Sequence, residues 1–327
     1  MTTAERAAGL RIAILDDYQD VALRFADWAA LPAGSRVQAF RDHLTDERAV
    51  AERLADFDVV VVMRERTPFK ASLLERLPRL RLLVTTGARN AAIDVAAARA
   101  RGVVVCGTEG LPYPTAELTW ALILALARHV PAEDRATRAG KWQTSLGVGL
   151  RGKTLGVLGL GRLGGQVARI GAAFGMELVA WSQNLTAERA AEFGARLVAR
   201  DVLLEQADVV TVHLVLGERS HGLLGARELG LMKRSAYLVN TSRGPIVDEA
   251  ALIRALSTNA IAGAGLDVFD EEPLPRGHPF LILPNTVLTP HLGYVTAETY
   301  RIFYSQALED IQAYARGQPI RTVPPAA

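Results

Sequence analysis

Short runs of β-branched and other apolar residues alternate with helical patterns in two successive series, and this alternation restricts the fold more than any other feature of the sequence. Such alternation is typical of βαβ units and of a mainly parallel sheet. In the first series we predict strands at 11–15, 58–62, 82–85 and 103–106, separated by helices at 21–30, 45–55, 71–77 and 93–101. The first part of the chain is therefore predicted to be an α/β domain.

A second series begins at residue 154, after a Gly/Pro-rich connection at 108–114 and a long apolar helix from Thr115 to about His129. Its predicted strands lie near 154–158, 178–181, 208–213, 237–240, 262–268 and 287–288. One more helix, 297–316, has no strand after it, so we expect it to return to the first domain. The predicted fold class is α/β, with two Rossmann-like doubly wound parallel-sheet domains and a cleft between them. The predicted domains are 1–107 plus 296–327, which is flavodoxin-like, and 108–295.

Length and composition agree with two domains, because 327 residues exceed the usual size of one hydrophobic core. The net charge of +2 is too small to suggest nucleic acid as a partner. No apolar stretch reaches the length of a membrane span, and Met1–Leu10 does not resemble a secretory signal. The single cysteine, Cys106, lies in an apolar run and is expected to be a buried, reduced thiol. We expect a cytoplasmic protein that binds neither a membrane nor a metal.

The glycine-rich segment at 159–164 follows a predicted strand and precedes a predicted helix at 165–174. Gly159 permits a tight turn, Gly161 lets the backbone approach a pyrophosphate, and Gly164 allows the helix to pack closely on the strand. A helix N-terminus then offers free N–H groups to phosphates. Glycine-rich turns also serve simple packing, but the strand and helix on either side favour a dinucleotide site.

Ser182 stands at the end of the next strand, where an NAD site usually has an acidic residue for the ribose hydroxyls. The missing carboxylate removes the charge that would repel a 2′-phosphate. No arginine follows directly to attract one, since the next residues are Gln183 and Asn184. The sequence therefore leaves NAD and NADP both open as cofactors.

Three candidate catalytic residues follow predicted strands of the second series: Arg243, Glu272 and His291. Open α/β sheets bind their ligands at the carboxyl ends of the strands. Taken singly, each residue has an ordinary explanation as an ion-paired arginine, a solvated acid or a structural histidine. Together they meet the needs of carbonyl reduction, because a guanidinium can hold a carboxylate and a histidine beside a carboxylate can supply a proton.

At these motifs the chain resembles the D-isomer-specific 2-hydroxyacid dehydrogenases, which include phosphoglycerate, D-lactate and glyoxylate/hydroxypyruvate enzymes. The resemblance runs from about Leu80 to Thr296. It implies an NAD(P)-dependent oxidoreductase that acts on 2-keto and D-2-hydroxy acids, with 108–295 as the NAD(P)-binding domain and the remainder as the substrate (catalytic) domain. By resemblance, Arg243 binds the substrate carboxylate and carbonyl, His291 is the acid/base, and Glu272 is its partner. A homodimer is implied as well.

The resemblance also assigns cofactor and substrate contacts. The cofactor contacts are Gly159, Gly161, Arg162, Leu163, Gly164, Ser182, Gln183, His213, Thr241, Ser242, Asp267 and His291. The substrate contacts are Gly87, Ala88, Arg89, Arg243 and His291. Arg89 departs from the small residues usual in the family; it could add an anion contact, or point into solvent or pair with an acid, and the role of Arg64 is equally open. Two alternative functions remain: a nucleotide-sensing, corepressor-like interaction protein and a phosphite-type dehydrogenase of the same fold.

Overall fold

The computed structural model describes residues 9–325, which form two compact units. One unit comprises the chain up to Leu111 together with the chain from Thr296 onward; the other is Pro112–Val295. Most of the N-terminal segment interpreted above as lacking a signal lies outside the described residues. No helix among residues 9–325 is long and apolar enough to cross a membrane.

The first unit contains a five-stranded parallel sheet in the order β2-β1-β3-β4-β5. Its strands are β1 (Arg11–Ile14), β2 (Arg36–Ala39), β3 (Val59–Val62), β4 (Leu82–Thr85) and β5 (Val104–Gly107). Its helices are α1 (Glu47–Leu54), α2 (Ala71–Glu75), α3 (Val95–Ala100) and, at the end of the chain, α11 (Ala297–Ala315). β3 and β4 are buried along their whole length, as expected for parallel strands covered on both faces. This strand order is that of flavodoxin-like sheets.

The second unit contains a seven-stranded parallel sheet in the order β12-β11-β10-β9-β6-β7-β8. Its strands are β6 (Thr154–Leu158), β7 (Glu177–Trp181), β8 (Arg196–Leu197), β9 (Val209–Val212), β10 (Tyr237–Asn240), β11 (Gly263–Leu266) and β12 (Thr286–Leu288). Its helices are α4 (Pro114–Ala127), α5 (Val130–Arg138), α6 (Arg162–Ala173), α7 (Ala187–Ala191), α8 (Arg200–Gln206), α9 (Ala226–Leu231) and α10 (Glu249–Ser257). The order of the strands reverses between β6 and β9, where such sheets bind dinucleotides. The predicted class of two parallel-sheet α/β domains is confirmed.

Three of the predicted helices differ clearly from the structure. The helix predicted at 21–30 is wrong: this segment forms two 3₁₀ turns, Ala22–Arg24 and Trp28–Ala30. The Asp17 carboxylate accepts the N–H groups of Val21 and Ala22, which stabilises a local turn there instead of a continuous helix. The long helix ends at Ala127 rather than at His129, because His129 adopts a left-handed φ of 52° and a separate helix, α5, begins after it. The helix predicted at 165–174 begins three residues earlier, at Arg162.

Candidate active site

The glycine-rich turn after β6 brings backbone N–H groups to the point where the strand order reverses. Gly159 has a φ of 97°, and a Cβ there would lie 2.7 Å from the His213 carbonyl oxygen, so only glycine fits. A Cβ on Gly164 would overlap the Gly159 carbonyl oxygen. Gly161 differs, since a Cβ there would meet nothing within 4 Å. The space beside Gly161 is therefore open to a ligand.

The N-terminus of α6 faces this space with its donors uncapped. Gly161 is the N-cap and supplies no side-chain acceptor. The first N–H groups of the helix, on Arg162 and Leu163, therefore lack intrahelical acceptors and can bind an anion. An open glycine cradle beside uncapped helix donors fits the pyrophosphate of a dinucleotide.

A cavity of about 520 Å³ extends from the end of β7 to the segment after β9. Ser182 and Gln183 line one part of it, and Leu214–Ser220 lines the other. The cavity is large enough for a nucleoside, and Ser182 occupies the position where the sequence lacks the expected acid. The 214–220 segment was missed from the sequence; the signal was its position directly after a strand at the point of reversal.

His213 has a polar atom without a partner in this region. Its Nε2 atom is buried and has no hydrogen-bond partner within the described part of the chain. Burial lowers the pKa of His213 to about 4, so the ring is neutral at physiological pH. The backbone of His213 lies against Gly159, and a buried, unpartnered ring nitrogen on this residue fits a group that completes its hydrogen bonding when a ligand binds.

The turn after β10 is held in shape by Asn240. Its side chain donates to the Arg243 carbonyl oxygen at 2.9 Å and accepts the Ser242 N–H at 3.0 Å. Thr241 is buried and hydrogen-bonded to Thr119 at 2.8 Å, while the Ser242 hydroxyl donates to the Leu214 carbonyl oxygen. The turn therefore joins the β10 end to the wall of the cavity.

Arg243 leaves this turn half-buried. Its Nη1 donates to the Ser242 carbonyl oxygen at 2.7 Å, which fixes the guanidinium against its own turn. The Arg243 charge also acts on Glu272 and lowers the pKa of that carboxyl. A partly exposed guanidinium held in one orientation is suited to bind a carboxylate or a carbonyl oxygen.

Glu272 and His291 form a close pair on the turns after β11 and β12. The Glu272 Oε2 to His291 Nδ1 distance is 2.6 Å, and Glu272 Oε1 accepts the Phe269 N–H at 3.0 Å. Burial by itself raises the pKa of Glu272, but the hydrogen bond and charge of His291, the Phe269 N–H and the Arg243 charge outweigh it and hold that pKa below its usual value. Glu272 is thus an ionised partner for His291 and engages Nδ1 of the ring rather than Nε2.

Asp267 holds the turn that carries His291. It is fully buried; Oδ1 accepts Thr289 Oγ1 at 2.6 Å and the Leu292 N–H at 2.7 Å, and Oδ2 accepts the Gly293 N–H at 2.9 Å. Burial raises the pKa of Asp267 in spite of these bonds. His291 itself has a left-handed φ of 55°. The sequence did not predict this supporting role of Asp267, nor that of Thr289, because the hydrogen bonds join residues more than 20 positions apart.

Arg243, Glu272 and His291 therefore follow β10, β11 and β12, respectively, and these three strands are adjacent in the sheet. Gly244 packs so tightly that a Cβ there would overlap the Phe269 backbone, which draws the turns after β10 and β11 together. Within residues 9–325, no group of three His, Cys, Asp or Glu residues could hold a metal ion. The arrangement offers an anion-binding cation and a histidine–carboxylate pair.

In the first unit, the loop after β4 carries the predicted substrate residues Gly87, Ala88 and Arg89. Gly87 has a φ of 90°, and its N–H donates to Thr108 Oγ1 at 2.8 Å. Ala88 and Arg89 are exposed. The Arg64 guanidinium lies against Gly87, in the space that a Cβ would occupy.

Comparison with known proteins gives a consistent result. The family model "D-isomer specific 2-hydroxyacid dehydrogenase, NAD binding domain" matches residues 120–293. The chain is 44% identical over 263 residues to a glyoxylate reductase of Aeropyrum pernix, covering 77% of each chain. It is 39% identical over 264 residues to a D-3-phosphoglycerate dehydrogenase of Archaeoglobus fulgidus, covering 80% of this chain and 50% of that one. The solved structure of a phosphoglycerate oxidoreductase from Vibrio cholerae matches with a TM-score of 0.89 and 38% identity, covering 94% of this chain and 99% of that one.

Proposed function

This chain belongs to the D-isomer-specific 2-hydroxyacid dehydrogenase family, and we propose that Arg243, Glu272 and His291 carry out its reduction of a 2-keto acid to a D-2-hydroxy acid. The enzyme class, an NAD(P)-dependent D-2-hydroxyacid dehydrogenase, follows from the family. The observation that carries the residue assignment is the 2.6 Å contact between His291 and Glu272, which lie on the turns after β12 and β11, with Arg243 on the turn after the adjacent strand β10.

A nicotinamide cofactor held at the Gly159–Gly164 turn would supply the hydride for the carbonyl carbon of the substrate. Arg243 holds the carboxylate and polarises the carbonyl oxygen, on which negative charge develops. His291 gives its Nε2 proton to that oxygen, and Glu272 stabilises the imidazolium before the transfer and fixes which ring nitrogen faces the substrate. Asp267 keeps the His291 turn in one conformation through its three accepted hydrogen bonds.

The cofactor is assigned to the glycine turn and the cavity beside it. Gly159, Gly161 and Gly164 shape the turn, and the N–H groups of Arg162 and Leu163 meet the pyrophosphate. Ser182, Gln183, His213, Thr241 and Ser242 line the remaining path. The cofactor is NAD or NADP. Ser182 is uncharged, so its side chain neither repels the 2′-phosphate of NADP, as a carboxylate would, nor attracts it, as a guanidinium would.

The first unit is assigned the substrate role, with the second as the NAD(P)-binding domain. The substrate role of the first unit is supported by the loop after β4, where the N–H groups of Ala88 and Arg89 donate to no acceptor within the described part of the chain. Successive free amides bind carboxylates well. Gly87, Ala88 and Arg89 therefore contribute to the carboxylate site.

A homodimer in the cytoplasm is also part of the proposal. The segment at 139–150 contains two strongly exposed apolar side chains, Trp142 (79%) and Leu146 (92%). Apolar side chains exposed to this degree in one stretch favour burial against a second copy. Light scattering at micromolar protein should give twice the 35.2 kDa chain mass, and a monomer would contradict this part.

The test of the reaction is a panel of 2-keto acids assayed separately with NADH and NADPH. Glyoxylate is included because several relatives are named glyoxylate reductase. Oxidation of the reduced cofactor that depends on a 2-keto acid, with formation of the D-2-hydroxy acid, is the expected result. Cofactor binding without turnover of any panel member would overturn the proposal.

A further inference from the structure

The loop after β4 is held rigidly at both ends. Gly87 donates its N–H to Thr108 Oγ1, as described above, and Asn90 anchors the other end. Asn90 is 7% exposed; its side chain donates to Thr85 Oγ1 at 2.9 Å and to the Arg64 carbonyl oxygen, and accepts the Ala92 N–H at 2.8 Å. The tip of the loop therefore has a fixed backbone.

Two arginine side chains lie at this loop, Arg64 packed against Gly87 and Arg89 on the tip itself. Arg64 is committed to the loop: Nη1 donates to the Thr86 carbonyl oxygen at 3.3 Å, and Nε lies 3.8 Å from a Glu65 carboxylate oxygen. Arg89 is exposed, and its side chain makes no hydrogen bond or ion pair within residues 9–325. Arg89 thus presents an uncommitted guanidinium beside the free amides.

We propose that Arg89 binds a second anionic group of the substrate, so that the preferred substrates are 2-keto acids whose distal end carries a carboxylate or a phosphate. This inference rests on the proposed function. The loop amides of Ala88 and Arg89 bind the carboxylate next to the keto group, and the Arg89 guanidinium binds the charge at the other end. A cation on a preformed loop binds at a smaller entropic cost than one on a flexible segment.

Matched substrate pairs that differ only in the distal charge test this assignment. For the carboxylate, 2-oxoglutarate is compared with 2-oxopentanoate in the direction of reduction. For the phosphate, 3-phosphoglycerate is compared with D-glycerate in the direction of oxidation. Each pair yields a ratio of kcat/KM values, and the arm with the larger ratio identifies the anionic group.

In the wild-type enzyme at least one ratio should exceed about 10, and it should fall as salt is raised. Arg89→Ala should lower that ratio about tenfold, and Arg89→Lys should lower it less. Arg99→Ala is the matched control, because Arg99 is exposed on α3 and its side chain makes no hydrogen bond or ion pair within the described part of the chain. It should keep the wild-type ratio.

The outcomes separate this inference from the proposed function. A wild-type enzyme that reduces glyoxylate but prefers the neutral member of both pairs overturns the Arg89 assignment and leaves the reaction standing. An Arg89→Ala ratio within about twofold of wild type does the same. Absence of turnover on every 2-keto acid overturns the proposed function itself.

Discussion

Replacing Gly161 with alanine should weaken cofactor binding while the fold stays intact. The new methyl group would meet no protein atom within 4 Å, and Gly161 has a negative φ of −86°, which L-residues adopt. Loss of a favourable N-cap and the reduced entropy of the unfolded chain offset each other, so the free energy of unfolding should change by less than about 1 kcal/mol.

The expected effect on cofactor binding follows from the assignment of the open space beside Gly161 to the pyrophosphate. If the pyrophosphate approaches the Gly161 backbone, the methyl group keeps it from the Arg162 and Leu163 N–H groups. Weakening these charge-assisted hydrogen bonds costs about 1.5–3 kcal/mol, which raises the Kd for NADH or NADPH about 10- to 150-fold. Titration of cofactor fluorescence measures the Kd, and thermal unfolding of the same samples measures stability.

Two further glycine variants serve as controls, because they separate an effect on cofactor binding from an effect on stability. Gly164→Ala places a Cβ against the Gly159 carbonyl oxygen and should destabilise the fold by about 1–3 kcal/mol or more. Gly230 lies on α9 with open space around it, so Gly230→Ala should change neither the free energy of cofactor binding nor the free energy of unfolding by more than about 1 kcal/mol. A Gly161→Ala enzyme that binds cofactor as tightly as wild type would refute the assignment of the pyrophosphate to this turn.

Three other changes test separate parts of the account. Glu272→Gln removes the counter-charge of a protonated His291, so the kcat for reduction should fall about 10- to 100-fold, most strongly at alkaline pH; a loss that is equal at every pH would contradict the pairing. Ser182→Asp should shift the NADPH-to-NADH ratio of Kd values about tenfold or more toward NADH, because the new carboxylate repels a 2′-phosphate; an unchanged ratio would show that the 2′ position lies elsewhere. Asp310 is fully buried, and burial raises its folded pKa to about 7 from an ordinary 3.8, against the opposing effect of Arg321. Its folded pKa is the higher one, so its contribution to stability is complete below about pH 4 and is lost as the pH rises through 7. Between pH 4 and pH 8 the free energy of unfolding, measured with denaturant, should therefore fall by on the order of 3 kcal/mol less in Asp310→Asn than in the wild type. An equal fall in the two proteins would contradict a raised pKa of Asp310.

Most strands could be predicted because buried parallel strands are continuous apolar runs, as at Val59–Val62 and Leu82–Thr85. β2 was missed for the opposite reason: it is an edge strand, and Arg36 and Gln38 alternate with partly buried residues. β8, with two residues, carries too short a pattern to detect. Burial on both faces is thus what made a strand visible in the sequence.

The identities of the candidate site residues could be read from the sequence, but their supports could not. Arg243, Glu272 and His291 stand out because each follows an apolar strand. The bonds from Asp267 to the His291 turn and the packing of Arg64 on Gly87 depend on contacts between distant parts of the chain. Such contacts leave no local pattern, and the left-handed φ values of Arg64 and His291 leave none either.

The proton-donor role of His291 is tested most directly by the kcat of a His291→Asn enzyme with a 2-keto acid that the wild type reduces, together with the Kd for NADH. Asparagine keeps a polar side chain near Glu272 but cannot transfer a proton near neutral pH. The kcat should fall about 10²- to 10⁴-fold while the Kd stays within about threefold of wild type. A kcat within threefold of the wild-type value would contradict the assignment of His291 as the acid/base of this enzyme.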